Sequence, residues 1–250
     1  MSNWIDLIDI NFDVRSDAHG KDPDKASATL RQYHKLLWSK TLPGGQFFML
    51  DDTAENTYLY HNSDLGEFPL SSDSIIHTYR HWKRTKSIIE QVPVYEMDYF
   101  YTLAYTVGGF IIFPGNRINN LPTLNQERGT NKKINDRIDL TLECIRLFYR
   151  NEQSPLFETI ARYESFFLLF ENFRYYCEYF LLQDLVACDF SSVNFFLPFT
   201  GFEYNPLPKT LEEYSAYRVN NINFLVNRNE RIQNYSFTCK NHEIEKVEKK

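Results

Sequence analysis

The sequence predicts an α+β fold, with a small antiparallel sheet in the N-terminal half packed against a mostly helical C-terminal half. Three observations carry this reading. Short strand-like runs bounded by turn residues fall in the first half. From Ile134 onward apolar residues recur at helical spacing. No Gly/Ser-rich linker, repeat or low-complexity block separates the halves, so one domain over residues 1–235 with a flexible tail over 236–250 is the expected organisation.

Taken in order, residues 24–40 place Leu30, Tyr33, Leu37 and Trp38 on one helical face, and the LPGG segment at 42–45 ends that helix. Strand-like pieces follow at Gln46 to Leu50, Thr57 to His61 and Glu67 to Leu70. Ser71, Ser72 and Asp73 offer N-caps for a helix running to about Glu90, closed off by Pro93. Tyr99 to Val107 and Phe110 to Phe113 flank Gly108-Gly109 and read as a β-hairpin. The polar stretch from Gly115 to Lys133 reads as a long surface loop, a feature that usually serves a function. A helix from Asn135 to Tyr149 is apolar on two opposite sides. A second apolar stretch runs from Pro155 to near Ala187 with a break at Glu171-Asn172, and a last helix spans Leu211 to Ile232.

Composition narrows the class. Hydrophobic residues make up 43% and charged residues 24% of the 250, the balance of a folded chain. With 21 Phe, 17 Tyr and 3 Trp, the core must be built largely from aromatic rings whose tyrosine hydroxyls need partners. A net charge of −6 argues against extended nucleic-acid or anionic-membrane binding, which draws affinity from neutralised phosphates. One local basic cluster (Arg80, His81, Lys83, Arg84 and Lys86 around Trp82) reads as a solvated helix face or a binding patch. No run of about 18 apolar residues occurs, and the N-terminus lacks a signal-peptide pattern, so a cytoplasmic protein is expected. The four cysteines show no CxxC pair and read as buried free thiols.

Candidate chemistry concentrates in RGTNKKINDRIDLTLECIR, residues 128–146. Asp136, Asp139 and Glu143 are drawn into a buried helix and need partners: either the nearby Arg128, Arg137 and Arg146, or a ligand. Arg128 just before a helix start, with Asn131 adding an amide, suits a phosphate or carboxylate. Asp17 and His19 share a polar loop where a carboxylate can orient an imidazole for acid–base work, against a plain solvated turn. His77 and His81 stand at i, i+4 without the glutamate of the zinc-protease pattern. His61 ends a strand in YLYHNS and over four or five residues is similar to the histidine strand of ADP-ribosyltransferases, without the Tyr and Glu motifs of that family. No Walker, dinucleotide-binding or GxSxG pattern is present, and nothing names a cofactor, a metal or an oligomeric state.

The segments FDVRSDAHGKDPD, LSSDSIIHTY, GGFIIFPGN and RGTNKKINDRIDLTLECIR together resemble an uncharacterised bacterial family carrying a domain-of-unknown-function label, over roughly residues 10–235. The resemblance implies a free-standing bacterial protein and transfers no catalytic residue. Two readings stay open. In one, the chain is an enzyme on a small phosphorylated or nucleotide-like ligand, with Arg128 and Asn131 gripping the anion, Arg137, His61 and His77 as further contacts, and Asp136, Asp139 or Glu143 as base or metal ligands. In the other it is a non-catalytic binding or regulatory protein, and the same charges are structural ion pairs.

Overall fold

The computed structural model describes residues 8–52 and 58–248, with side chains through Ser236. The side chain of Cys239 and the expected strand start at Thr57 lie outside what is described. The architecture is α+β. Helix α1 (Pro23–Ala26) begins where the Asp22 side chain accepts from the Asp24 N–H, with Pro23 in its first turn. Helix α2 (Ala28–Trp38) begins where Ser27 accepts from the Leu30 N–H, and it buries Leu30, Tyr33, Leu37 and Trp38, the face that the spacing predicts.

Strands β1 (Lys40–Thr41) and β2 (Phe47–Phe48) form a short ladder. Strands β3 (Asp51–Asp52), β4 (Leu59–Ser63), β5 (Gly66–Ser74) and β6 (Phe110–Pro114) make a four-stranded antiparallel sheet in that order. Here the structure corrects the sequence reading. Ser71, Ser72 and Asp73 do not cap a helix; they continue β5 and pair with Phe113, Ile112 and Ile111 of β6. The apolar β6 run, with Phe110 to Phe113 at 0% exposure, demands a ladder partner, and that demand outweighs the local capping preference. Only α3 (Lys86–Ile89) remains of the expected helix, after turns from Tyr79 onward.

The expected hairpin is also absent. Its first arm is helix α4 (Val94–Ala104), which starts directly after Pro93 and buries Met97, Phe100 and Ala104 at helical spacing. Gly108 and Gly109 lie in a 3₁₀ turn (Val107–Gly109) between α4 and β6 and are needed for close approach. A Cβ on Gly109 would stand 2.1 Å from the Ala104 carbonyl oxygen, and one on Gly108 would stand 2.5 Å from Asn229 Oδ1.

Within the expected surface loop sits α5 (Leu124–Thr130), opened by a capping box between Thr123 and Gln126. Helix α6 (Ile138–Tyr149) has every residue from Ile138 to Ile145 buried, so it is enclosed all round for two turns. The aromatic stretch folds as α7 (Phe157–Ala161), α8 (Glu164–Leu168) and α9 (Phe173–Tyr179). The break falls at Glu171-Asn172, where Glu171 takes φ of +61° and Asn172 caps α9. A short 3₁₀ turn (Gln183–Leu185) and a long loop lead to α10 (Leu211–Glu248).

One continuous core runs from Tyr33 to Ile232 and is dominated by aromatic rings. Several of their hydroxyls find backbone carbonyls: Tyr79 donates to Asn135 at 2.6 Å, Tyr214 to Thr78 at 2.7 Å and Tyr217 to His77 at 2.8 Å. Cys144 and Cys177 are buried free thiols, whereas Cys188 is exposed, because it lies in a turn rather than a helix. Among the described residues no helix is long and apolar enough to cross a membrane.

Candidate functional site

Alternation along β5 puts Ser71 and Asp73 on one face of the strand, and the Ser71 hydroxyl donates to Asp73 Oδ2 at 2.6 Å. Beside this strand end lies α1, whose half-buried Asp24 accepts from the Ser74 N–H at 3.1 Å. Two carboxyls are thus held in one partly dry place. Burial first, and then the charge of Asp73, pushes Asp24 up to about 8. Burial pushes Asp73 up to about 7 against the Ser71 hydrogen bond and the nearby Arg128, with Asp22 and Asp136 adding repulsion.

Arg128, on α5, binds the same strand end. Its guanidinium is 0% exposed and saturated by internal acceptors. Nη1 reaches the Ser74 carbonyl at 2.8 Å, Asn125 Oδ1 at 3.1 Å and Asp136 Oδ1 at 2.8 Å. Nη2 reaches the Ile75 and Asp136 carbonyls at 3.2 and 3.1 Å, and Nε reaches Thr141 Oγ1 at 3.3 Å. Arg128 therefore joins β5, α5 and α6 and offers no donor to a ligand.

His77 follows β5, its Nδ1 accepting from the Tyr79 N–H at 2.9 Å, which leaves the proton of the neutral ring on Nε2. Among the described residues Nε2 has no hydrogen-bond partner. Burial lowers the basicity of His77, with Asp136 opposing and Arg128 and His81 assisting. The backbone here is strained: Tyr79, Asn135 and Asp136 have φ of +57°, +48° and +63°, an unusual conformation for a buried tyrosine.

The other sequence candidates do not gather here. Asp139 is fully buried in a bidentate pair with Arg137 and also accepts from the Phe196 N–H, while Arg137 donates onward to the Pro206 carbonyl. Glu143 makes a two-bond fork with Arg146, both at 2.8 Å. Asn131 ends α5, its Oδ1 accepting from the Lys133 N–H and its amide donating to the Pro155 carbonyl, and in the expected anion grip the Arg128 guanidinium is already spent on internal acceptors. Asp17 accepts from the Thr29 N–H at 2.9 Å at the start of α2. There its burial is outweighed by hydrogen bonds from Ser27 and Thr29, which hold the carboxyl below its usual range. His19 is exposed in a turn at φ of +52°. His61 is locked between Met49 and Ser63 and stacks on Phe48 at 4.0 Å, which is packing rather than ligand recognition. Among the described residues no group of three or more His, Cys, Asp or Glu side chains is placed to hold a metal ion.

The segments that meet at this strand end are the DPD turn, SSDS with His77, and the stretch from Arg128 to Asp136. Residues 8–232 match the family of unknown function DUF6994. The chain belongs to this family. No curated protein and no solved structure matches it. In this DUF6994 chain the residues that sequence reading passed over are Asp22, Asp24 and Asp73. A signal was present in each case. Asp-Pro-Asp is a helix-start pattern that fixes a second carboxylate in the first turn, and SSDS carries polar residues into a strand whose neighbours are apolar. Bringing the two together required the sheet.

Proposed function

We propose that this chain is an enzyme that carries out general acid–base chemistry on a small ligand, with Asp24 and Asp73 as the proton-sharing pair. The observation that supports it is the two raised carboxyls at one strand end, about 8 for Asp24 and about 7 for Asp73, because structural carboxylates are normally pulled the other way by their partners. Near neutral pH such a pair holds about one proton between two groups, so one carboxyl donates while the other accepts. His77, neutral and presenting its Nε2–H, supplies a second proton-transfer group. Arg128 acts as a positioning residue, holding Asp136 and the end of β5 in place.

Carbon-detected NMR of the aspartate carboxyls tests the chemistry directly, with Asp24→Asn and Asp73→Asn for assignment. Two carboxyls titrating near neutrality are expected, and removal of either should lower the midpoint of the other. Both titrating below about pH 5 would overturn the proposal. In a turnover screen over small-molecule libraries, either substitution should abolish the activity found; full turnover by both variants would remove Asp24 and Asp73 from the chemistry, and no turnover by the wild type would return the chain to the non-catalytic reading.

A further inference from the structure

A basic cleft lies beside Trp82. The residues expected on a solvated helix face fall instead in turns between β5 and α3, and His81, Lys83 and Arg84 line a cavity of about 380 Å³ with Trp82. The opposite wall is Thr130, Lys132 and Asn135. A second cavity of about 300 Å³ shares Arg84, Lys132 and Asn135 and adds Tyr204, whose ring is 67% exposed. Among the described residues Lys83, Arg84 and Lys132 have no ion-pair partner, whereas nearby Arg80, Lys86 and Lys133 are paired with Asp98, Glu90 and Glu203. On a chain with net charge −6, three uncompensated cations on one concave surface focus an anion there.

We propose that this cleft binds a mononucleotide, with the phosphates on Lys83, Arg84 and Lys132 and the base against Trp82 or Tyr204. The aromatic part rests on Trp82, which is braced by edge contacts from His77 at 4.9 Å and Tyr79 at 5.1 Å and is only partly covered. Two adjoining cavities of these sizes suit a ligand larger than phosphate alone. A pocket rather than a long basic stripe argues for a single nucleotide over a strand. Asn135 in the cleft wall precedes Asp136, the partner of Arg128, and the Trp82 ring touches His77. Nucleotide binding in this cleft does not rest on the acid–base reading above.

The test is calorimetry with AMP, ATP, pyrophosphate and a short single-stranded oligonucleotide against the full chain, the Arg84→Ala/Lys132→Ala double variant and Asp24→Asn. Both substituted cations are exposed, so the double variant should melt like the wild type. AMP or ATP should bind more tightly than pyrophosphate, quench tryptophan fluorescence, lose about tenfold or more in affinity in the double variant, and still bind Asp24→Asn. No nucleotide binding up to about 1 mM, or binding that the double variant keeps, would overturn the proposal. So would pyrophosphate binding as tightly as AMP, or the oligonucleotide binding more tightly than either nucleotide. Nucleotide binding that survives beside ordinary titration of Asp24 and Asp73 would sink the acid–base reading alone; their perturbed titration without nucleotide binding would sink this one alone.

Discussion

Asp24 and Asp73 are acids that the fold holds against their preference for charge, and this has a consequence for stability. Both titrate above their usual carboxylate value of 3.8 in the folded chain. Their favourable contribution is therefore complete below that value and is lost as pH rises through about 7 for Asp73 and about 8 for Asp24. Asp24→Asn, which keeps an acceptor for the Ser74 N–H, should be more stable than the wild type by about 1–3 kcal/mol at pH 8, the full shift being discounted for partial exposure. Urea melts should show this gain shrinking as pH falls toward 5. A loss of stability at pH 8 would mean that Asp24 is an ordinary structural carboxylate. Arg128 is the opposite case. Removing it strands the Asp136 carboxylate and the Ser74 and Ile75 carbonyls, so Arg128→Ala should cost about 3–5 kcal/mol. Arg128→Lys should recover only part of that, since an ammonium cannot span so many acceptors; a fully stable alanine variant would show the guanidinium to be dispensable. The carboxylates that stand out in a one-dimensional reading, Asp139 and Glu143, stand out because they lie on an apolar helix, and each has its arginine two or three residues away. The pair with shifted titration is 49 residues apart, and no local pattern connects it.

At the scale of elements, helices with a clear apolar face and the presence of a small N-terminal sheet are legible in the sequence, whereas the extent and pairing of its strands are not. Helices α2 and α6 follow from spacing within themselves, and the break before α9 follows from a capping asparagine. Strand β5 was misjudged because its last third is polar, and its conformation is decided by β6, which arrives 36 residues later. Helix α4 is hard to read from sequence because aromatic residues favour strands on average, and its buried positions Met97, Phe100 and Ala104 are interleaved with the exposed Tyr95 and Tyr99. Two substitutions probe these elements. Leu142→Ala, in the stretch of α6 that is enclosed on every side, should cost about 2–5 kcal/mol in denaturant melts; a cost under about 0.5 kcal/mol would place α6 at the surface. Gly109→Ala drives a methyl into the Ala104 carbonyl and cannot relax by a rotamer change. It should destabilise by more than the ~1 kcal/mol typical of a point change, and a near-neutral result would show that the turn between α4 and β6 is loose.

Over the whole molecule, α10 is the element that ties the rest together. Arg228, fully buried, donates to the Gly108 and Phe110 carbonyls at 2.6 and 2.9 Å and to the Phe180 carbonyl at 3.0 Å, joining the sheet to the aromatic helices. Burial lowers its basicity to about 9, a measure of how dry this junction is. Asn229 receives the Gly108 N–H and donates to Thr106, while Tyr217 and Tyr214 donate to the carbonyls of His77 and Thr78 and so support the segment that leaves β5. A core that is continuous from Tyr33 to Ile232 gives neither half a separate apolar interior to retain when the other opens. The full chain should therefore unfold in one step, with far-UV circular dichroism, which follows the helices, and near-UV signal, which follows the buried rings, tracing the same curve in urea. A chain ending at residue 210 should show no cooperative transition, since α4 and the turn before β6 would lose the helix they pack on, and Gly108 and Phe110 their partner in Arg228. Two separated transitions in the full chain, or a cooperative melt in the shortened one, would show instead that the sheet and the aromatic helices fold on their own and that α10 only bridges them.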